Sequence, residues 1–341
     1  MPPPPRQQSE VTPPRGAMPD VVTDLATLRA RIAQYRRNGD QIALTPTMGA
    51  LHDGHLDLVA LARTQVTSSR STQVTSSRST QATPSRSTQA TPSHSALATP
   101  SRSTQVVRVV TSIFVNPRQF APHEDFDRYP RALEADVAKL AVAAVDLVWA
   151  PTPSEMYRPG FASRIEVEGA AIGLESDVRP HFFGGVATVC TKLFSQVTPD
   201  VAVFGEKDYQ QLCVIRQVVR DLDLPLEILG CPTRREADGL ALSSRNAYLS
   251  ADERAIAPTL HIAMQAAAAE VRDGGSIAAA TVSASNTILS AGFRQVDYVA
   301  VRDAATLAEV ADVSDPTTPP LRILTAAWLG KTRLIDNIAV G

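Results

Sequence analysis

The chain has 341 residues, enough for two domains with real cores, and its 33 Lys and Arg nearly balance its 35 Asp and Glu. A formal net charge of −2 gives no broad attraction to nucleic acids or anionic membranes. No apolar run approaches the roughly 18 residues of a transmembrane helix, and the three cysteines are typical of a reducing compartment. We therefore expect a cytoplasmic protein that has no membrane partner and no specific nucleic-acid partner.

The first 60 residues predict a tail, a helix and a strand–turn–helix unit. Residues 1–20 are rich in Pro and lack the apolar segment of a signal peptide, so we predict a disordered tail. From Asp24 to Arg37 the apolar residues recur at helical spacing, and Gly39 ends this helix. A predicted strand around Ile42 then leads into a turn that contains glycine and two histidines.

His52 and His55 lie in this turn, within the stretch 46–55 (Pro-Thr-Met-Gly-Ala-Leu-His-Asp-Gly-His). Such a turn lies at the carboxyl end of a parallel strand, where open α/β sheets bind ligands. The free N–H groups of the following helix suit a triphosphate, and Gly54 lets the backbone come close. Taken alone, the histidine pair is explained equally well as two polar turn residues.

Residues 64–103 are five tandem copies of one octapeptide, from Thr64–Ser71 to the diverged Ala96–Ser103. Ser, Thr, Pro and Gln dominate and leave almost nothing to bury, so we predict a disordered insert. Joining Arg63 directly to Thr104 gives an uninterrupted helix–loop–strand junction. Because that junction lies at the end of the sheet opposite the ligand crevice, we expect the insert not to contact the site.

Further buried strands end in polar turns at the same edge. A strand at 106–115 precedes Gln119, whose amide suits a hydroxyl or carboxylate, although an ordinary loop glutamine is the alternative. A strand at 200–204 ends in Gly-Glu-Lys-Asp (205–208), which fits either phosphate contact or a surface charge cluster. After another short strand, Ser-Ser-Arg (243–245) forms an anion clamp.

The remaining pattern completes an α/β chain with a boundary near residue 230. In the first part we predict helices at 133–145 and about 187–197, and strands at 146–150, 164–167 and 226–229. From about residue 250 the chain carries Ala-rich helices, strands at 296–301 and 321–327, and a helix near 305–310. This second pattern predicts a small α+β domain.

Six segments, in order, resemble the pantothenate synthetase family, the ATP-dependent pantoate–β-alanine ligases of the HxGH nucleotidyltransferase superfamily. They are the histidine stretch 46–55, Ser-Ile-Phe-Val-Asn-Pro-x-Gln-Phe (112–120), Tyr-Pro-Arg (129–131), Phe-Gly-Glu-Lys-Asp-Tyr-Gln-Gln (204–211), Arg-Glu-Ala-Asp-Gly-Leu with Ser-Ser-Arg-Asn (235–240 and 243–246), and Arg-Leu-Ile-Asp-Asn (333–337). Each motif alone is weak to moderate, but six in order are highly specific. The likeness covers about 21–341 apart from the insert.

The resemblance implies an α/β fold with a Rossmann-like parallel-sheet N-terminal domain over 21–230, including the insert, and a smaller α+β C-terminal lid domain over 231–341. It implies a homodimer. It also implies condensation of pantoate with β-alanine through a pantoyl adenylate, with ATP as a substrate and Mg²⁺ as its cation, and with release of pyrophosphate and AMP.

The resemblance also implies roles for individual residues. The catalytic residues would be His55 (the proton donor), His52, Lys207 and Arg245. The ATP site would comprise Met48, Gly49, His52, His55, Gly205, Glu206, Lys207, Asp208, Arg234, Leu242, Ser243, Ser244 and Arg245. The site for pantoate and β-alanine would comprise Gln119 and Gln211, with Met48 and Phe120 as an apolar wall. Spacing alone predicts no set of metal ligands.

Three departures from the family pattern stand out. Leu242 replaces the usual Met, and Arg234 replaces an aliphatic residue. Phe182 stands at the usual His position, with His181 one place earlier, so either His181 substitutes through a local shift or that function is lost. The alternatives are a nucleotidyltransferase that keeps the adenylyl group on its product, a binding protein that acts through the repeat, and an enzyme that has lost its activity.

Overall fold

A computed structural model of the protein describes residues 17–65, 106–121, 126–310 and 319–341. The predicted tail up to residue 16 and the predicted insert from residue 66 lie outside the described residues. The two insert residues that are described, Thr64 and Gln65, complete a helix. Asp20 already begins a strand, so the predicted tail extends too far at its end.

The first part of the chain alternates strands with helices, as predicted. The strands are β1 (Asp20–Val22), β2 (Gln41–Thr47), β3 (Val107–Ile113), β4 (Leu147–Trp149), β5 (Val201–Gly205) and β6 (Glu227–Cys231). The helices are α1 (Leu25–Arg37), α2 (Asp53–Gln65), α3 (Leu133–Val142), α4 (Pro153–Met156), α5 (Glu175–Val178), α6 (Phe182–Val197) and α7 (Tyr209–Asp221). Asp24 caps α1, because its side chain accepts from the N–H of Thr27.

These strands form one parallel sheet in the order β1-β4-β3-β2-β5-β6. The strand order reverses between β2 and β5, so the turns that follow them open onto the crevice where such sheets bind ligands. In β3 every residue except Ile113 is buried, as expected for a strand covered on both faces. The sheet confirms the predicted Rossmann-like architecture.

The second part of the chain is a smaller unit built on an antiparallel sheet. Its strands are β7 (Gln295–Asp303), β8 (Leu321–Leu329) and β9 (Thr332–Val340), paired in that order. Its helices are α8 (Ala251–Ile256), α9 (Thr259–Arg272) and α10 (Ile277–Ser290). Leu260, Met264, Ile288 and Ile323 form its core, which confirms the α+β class. In neither part does a described helix have the length and apolar character needed to cross a membrane.

Two predicted elements are wrong. Residues 164–167 form no strand; the N–H of Ile165 donates to the Thr188 hydroxyl (3.0 Å), so this segment packs against α6 instead of pairing with a sheet. The predicted helix near 305–310 is absent: residues 304–306 form a turn, and Glu309 pairs with Arg302 in an isolated antiparallel bridge. The backbone N–H groups of Ala305 and Thr306 donate to one carboxylate oxygen of Asp303, at 2.8 and 2.6 Å, and that bonding competes with a helix.

Asp146 binds the two chain segments that flank the insert. Its carboxylate accepts from Arg63 (3.0 Å) before the insert, and from Arg108 (3.2 Å) and the N–H of Val109 (2.8 Å) after it. Arg108 also donates to the buried Asp40 (2.8 Å). One buried carboxylate thus joins the end of α2 to the start of β3, the two segments that the insert connects.

We predict that deleting residues 64–103 leaves the catalytic rate within about twofold of wild type, and raises the free energy of unfolding by up to about 2 kcal/mol through loop closure. Steady-state kinetics and urea unfolding measure the two effects. A 40-residue Gly-Ser replacement is the control for length, and it should match the wild type in both. A severalfold change in rate on deletion would mean that the insert takes part in the chemistry.

Candidate active site

A cavity of about 260 Å³ lies between the carboxyl edge of the parallel sheet and the sheet β7-β8-β9. Most of the predicted site residues line it: Met48, His52, His55, Gln119, Phe120, Gly205, Lys207, Asp208, Gln211, Arg234, Leu242, Ser243, Ser244 and Arg245. They come from positions as far apart in sequence as 48 and 245, so the fold brings them together. Gly49 and Glu206 are the two predicted residues that do not line this cavity.

Gly49 shapes the histidine turn from behind. It has a φ of 85°, and an added Cβ would lie 3.1 Å from Oδ2 of Asp136. The buried Asp136 carboxylate, on α3, accepts from the N–H groups of Ala50 (2.9 Å) and Leu51 (2.8 Å). Glycine at this position therefore lets Asp136 of α3 approach the turn closely enough to bind its backbone N–H groups.

His52 and His55 face each other at the start of α2, with their ring centroids 4.1 Å apart. The backbone N–H of His52 donates to Nδ1 of His55 (3.2 Å), which assigns the proton of a neutral His55 ring to Nε2. An added Cβ on Gly54 would lie 3.1 Å from Nδ1 and Cε1 of His52, so the glycine leaves room for that ring. His55 can thus donate a hydrogen bond from Nε2.

Both imidazoles are held in the neutral form. Burial, followed by the repulsion that a protonated His52 would exert, lowers the pKa of His55 to about 3. Burial, followed by the ammonium of Lys207, also lowers the pKa of His52. At neutral pH the pair therefore supplies hydrogen-bond donors without adding positive charge to the cavity.

Gln119 is held in place by side chains on both ends of its amide. Its Oε1 accepts from Nδ2 of Asn116 (3.1 Å), and its Nε2 donates to the sulfur of Met48 (3.0 Å). Asn116 is 1% exposed and accepts from the Tyr157 hydroxyl (2.8 Å). Sequence reasoning assigns no role to Asn116; its place in the 112–120 motif is the signal that could have indicated one.

Gly185 lets α6 approach the Gln119 turn closely. An added Cβ there would collide with the carbonyl of Arg118 and lie 2.9 Å from Cα of Gln119. The carbonyl of Gly185 also accepts from Nδ2 of Asn116 (3.2 Å). The neighbouring Gly184 would meet only the carbonyl oxygen of Ile165, at 3.4 Å, which is an ordinary contact.

Aromatic side chains form part of the wall beside Gln119. Phe120 packs edge-on against Phe126 and Tyr129, with ring centroids 5.4 and 6.1 Å away. Gln211, in the first turn of α7, lines the same cavity. Together with Met48, these groups combine an apolar wall with two amides, an arrangement suited to a ligand that carries both an apolar part and a hydroxyl or carboxylate.

Cationic and hydroxyl groups gather at another part of the wall. Lys207 lies in the short turn 206–208, with its Nζ 3.6 Å from Oδ1 of Asp208. The Ser243 hydroxyl accepts from the N–H of Arg245 (3.2 Å) and thereby begins the turn Ser244–Tyr248. These donors and cations suit an anionic ligand such as a polyphosphate.

A buried ion cluster, to which sequence reasoning assigns no role, also lines the cavity. Nη1 of Arg333 donates to both carboxylate oxygens of Glu175 (2.7 and 2.8 Å), and its Nε donates to Asp297 (2.7 Å). Arg179 donates to Glu175 (3.0 Å) and to the carbonyl of Gln119 (3.1 Å). Because Arg333 lies on β9 and Glu175 lies on α5, the cluster joins the two parts of the chain. The motifs around Arg179 and Arg333 are the sequence signal that could have indicated this cluster.

Comparisons with known proteins agree with this geometry. The family model described as pantoate–β-alanine ligase matches residues 20–76 and 92–339. The chain is 49% identical over 325 residues to pantothenate synthetase from Caulobacter vibrioides, covering 95% of this chain and 99% of that protein. It is 48% identical over 322 residues to pantothenate synthetase from Mesorhizobium japonicum, covering 94% and 98% respectively.

This chain belongs to the pantoate–β-alanine ligase family. Among solved structures, pantothenate synthetase from Thermus thermophilus is 41% identical with a TM-score of 0.75, covering 94% of this chain and 99% of that one. Pantoate–β-alanine ligase from Francisella tularensis, complexed with β,γ-ATP and β-alanine, is 28% identical with a TM-score of 0.68, covering 94% and 98%. The resemblance drawn from the six motifs is confirmed.

Two departures from the ligase family pattern lie at the cavity wall. Leu242 lines the cavity as an apolar residue, and its N–H donates to the carbonyl of Arg234 (2.9 Å). The Arg234 guanidinium points to α2, where it donates to both carboxylate oxygens of Asp57 (3.0 and 3.1 Å). Arg234 therefore adds a link between the 232–245 loop and the histidine helix.

At the third departure, Phe182 and not His181 lines the cavity. The Phe182 ring lies against the guanidinium of Arg179, with 4.0 Å between Cζ and the ring centroid. His181 is exposed at the start of α6. The ligase family's histidine position is thus filled by an aromatic ring that packs on Arg179.

We predict that Gly185→Ala lowers kcat/KM for pantoate at least about tenfold, because the new methyl group displaces the Gln119 turn by tenths of an ångström or more. Gly184→Ala, on the same helix turn, is the matched control and should stay within about twofold of wild type. Steady-state pyrophosphate release at saturating ATP measures both. Equal activity of the two variants would show that Gly185 is not needed to place the Gln119 turn.

We predict a pH-dependent stability from His55. Its folded pKa of about 3 lies below the unfolded value of 6.5, so the unfolded chain binds the proton first as the pH falls. The stabilisation is complete above pH 6.5 and declines below it. Between pH 7.5 and 5.0 the ligand-free wild type should lose about 1–2 kcal/mol more unfolding free energy than His55→Asn, as urea unfolding measures. Parallel curves for the two proteins would contradict this.

Proposed function

We propose that this protein condenses pantoate with β-alanine to form pantothenate, using ATP and passing through a pantoyl adenylate, with release of pyrophosphate and AMP. The observation that carries the proposal is the cavity, in which paired imidazoles, Lys207, the clamp 243–245 and Gln119 meet. Family membership and the Francisella ligase complexed with β,γ-ATP and β-alanine support it.

In the first step a carboxylate oxygen of pantoate forms a bond to the α-phosphorus of ATP, and the bond from that phosphorus to the pyrophosphate oxygen breaks. The carboxylate is itself the nucleophile, so the protein supplies position and charge. His52 and the Nε2–H of His55 donate to phosphate oxygens, while Lys207 and Arg245 neutralise the growing negative charge. Ser243 and Ser244 hold the same group.

In the second step the uncharged amine of β-alanine attacks the acyl carbon, and the bond from that carbon to the AMP oxygen breaks. The attacking nitrogen then loses a proton to solvent, and AMP leaves as the phosphate anion. Gln119 and Gln211 hold the pantoyl group, and Met48 and Phe120 contact its methyl groups.

Mg²⁺ is proposed as the cation that ATP brings with it. Within the described residues no group of three or more His, Cys, Asp or Glu side chains is arranged to hold a metal ion. Asp208 is a carboxylate at the cavity wall, and a magnesium ion held mainly by phosphates and water fits such a sparse donor set. When bound, the ion would neutralise phosphate charge. The homodimer and the cytoplasmic location stay predictions.

The deciding measurement is the release of pyrophosphate and AMP from Mg–ATP, with and without each acid substrate. We expect pyrophosphate when pantoate is added, with AMP and sustained turnover only when β-alanine is also present. Pyrophosphate without AMP on addition of β-alanine would indicate an adenylyltransferase that keeps the adenylyl group on its product. A folded protein that binds ATP but releases no pyrophosphate would contradict the proposed function.

A further inference from the structure

The turn that carries Lys207 is not capped by its own side chains. Residues 206–208 form one short 3-10 turn, and Gly205 before it offers no capping side chain. Asp208, at the start of α7, makes no capping hydrogen bond from its carboxylate. Local sequence therefore does not fix where the Lys207 backbone lies, and the fixing contacts must come from elsewhere.

Those contacts come from β9 in the C-terminal part. The side-chain amide nitrogen of Asn337 donates to the carbonyl of Glu206 and to the carbonyl of Lys207, both at 2.9 Å. Asn337 is 3% exposed, so water does not compete for these bonds. The two N–H groups of this amide bind two successive carbonyls. They therefore restrict both the position and the orientation of the turn.

Asn337 is itself held rigidly. Its backbone N–H donates to Oδ1 of Asp336 (2.7 Å), and Arg235 binds both oxygens of that carboxylate at 2.6 and 2.9 Å. Arg235 belongs to the loop that leads to the Ser243–Arg245 clamp. The motif at 333–337 thus links the lysine turn to the loop that leads to the clamp, through partly buried hydrogen bonds, of which those between Arg235 and Asp336 are charge-assisted.

The C-terminal part supports the turn at two further points. Nη2 of Arg322 donates to a carboxylate oxygen of Glu206 (3.2 Å), and the hydroxyl of Tyr209 donates to the carbonyl of Ala304 (2.8 Å). These bonds attach the two ends of the turn to the C-terminal part. Asn337 acts between them, on the residue whose side chain reaches the cavity.

We propose that Asn337 is a positioning residue for Lys207: its amide holds the lysine turn in register with the clamp 243–245. The proposal rests on the proposed function, in which Lys207 neutralises charge on the transferring phosphate. Asn337 acts through the lysine, and its contribution is therefore expected to vanish when the lysine is absent.

A double-mutant cycle with Asn337→Ala and Lys207→Ala tests this, read as the single-turnover rate of pantoate-dependent pyrophosphate release with enzyme in excess. With Lys207 present, Asn337→Ala should slow the step about 10- to 100-fold, as small misplacements of catalytic groups do. In the Lys207→Ala background the same change should slow it less than about threefold. The same factor in both backgrounds would overturn the proposal, since a general structural defect acts regardless of the lysine.

Two further variants separate the loss of the two donors from a general loss of stability. Asn337→Asp keeps the size of the side chain but replaces a two-donor group with an acceptor, so it should show the same dependence on Lys207. Gln196→Ala removes a buried amide that accepts from the Trp149 indole (3.0 Å) away from the cavity, and should leave the rate within about twofold. A matching loss in Gln196→Ala would assign the effect to stability and contradict positioning.

Failure of the proposed function is distinguishable from failure of this proposal. If the wild type released no pyrophosphate, the function alone would be contradicted, and the same four proteins of the cycle would be compared for ATP affinity by calorimetry. Asn337→Ala should then weaken ATP binding only when Lys207 is present. Equal weakening in both backgrounds would overturn the positioning role.

Discussion

Repulsion among cationic side chains is the constraint on which the arrangement of the cavity depends. Five cationic residues line it: Arg179, Lys207, Arg234, Arg245 and Arg333. Within the described residues, carboxylates lie within 4 Å of Arg179, Lys207, Arg234 and Arg333, and Glu175 serves both Arg179 and Arg333. The imidazoles avoid adding to this charge because burial keeps them neutral. The folded protein can therefore hold several cations beside one cavity, where a polyphosphate can bind to them.

The carboxylates that balance these cations also decide how the two parts of the chain meet. Glu175 lies beside the parallel sheet, whereas Arg333 lies on β9, and their pairing is buried. An unpaired charge there would be strongly unfavourable, so the pairing selects a single docking of the antiparallel sheet. That docking carries Asn337 and Asp336 to the edge of the crevice. The same ion pairs therefore balance charge in the pocket and determine how the two parts of the chain pack together.

What the sequence could predict follows from the range of the interactions involved. Strands β2, β3 and β5 are buried on both faces, so their apolar runs and the polar turns after them are visible locally. Asn116 and Asn337 act across 69 and 131 positions of sequence, on Gly185 and Glu206, and no local pattern reveals such bonds. The absence of a strand at 164–167 has the same origin, because a pairing partner is a property of the whole fold.

Phe182 occupies a position where the ligase family has histidine, and the effect of this change on packing differs from its effect on proton transfer. Arg179 keeps its bonds to Glu175 and to the carbonyl of Gln119, and the Phe182 ring covers the guanidinium at 4.0 Å. The shape of the wall and the orientation of Arg179 are thus maintained by groups other than an imidazole. What the phenyl ring lacks is a nitrogen that donates or accepts a proton. Neither step of the proposed reaction needs a proton at that point, since a carboxylate and an amine are the nucleophiles and His55 is the proposed donor to the phosphate. An aromatic ring is therefore compatible with the chemistry as well as with the packing.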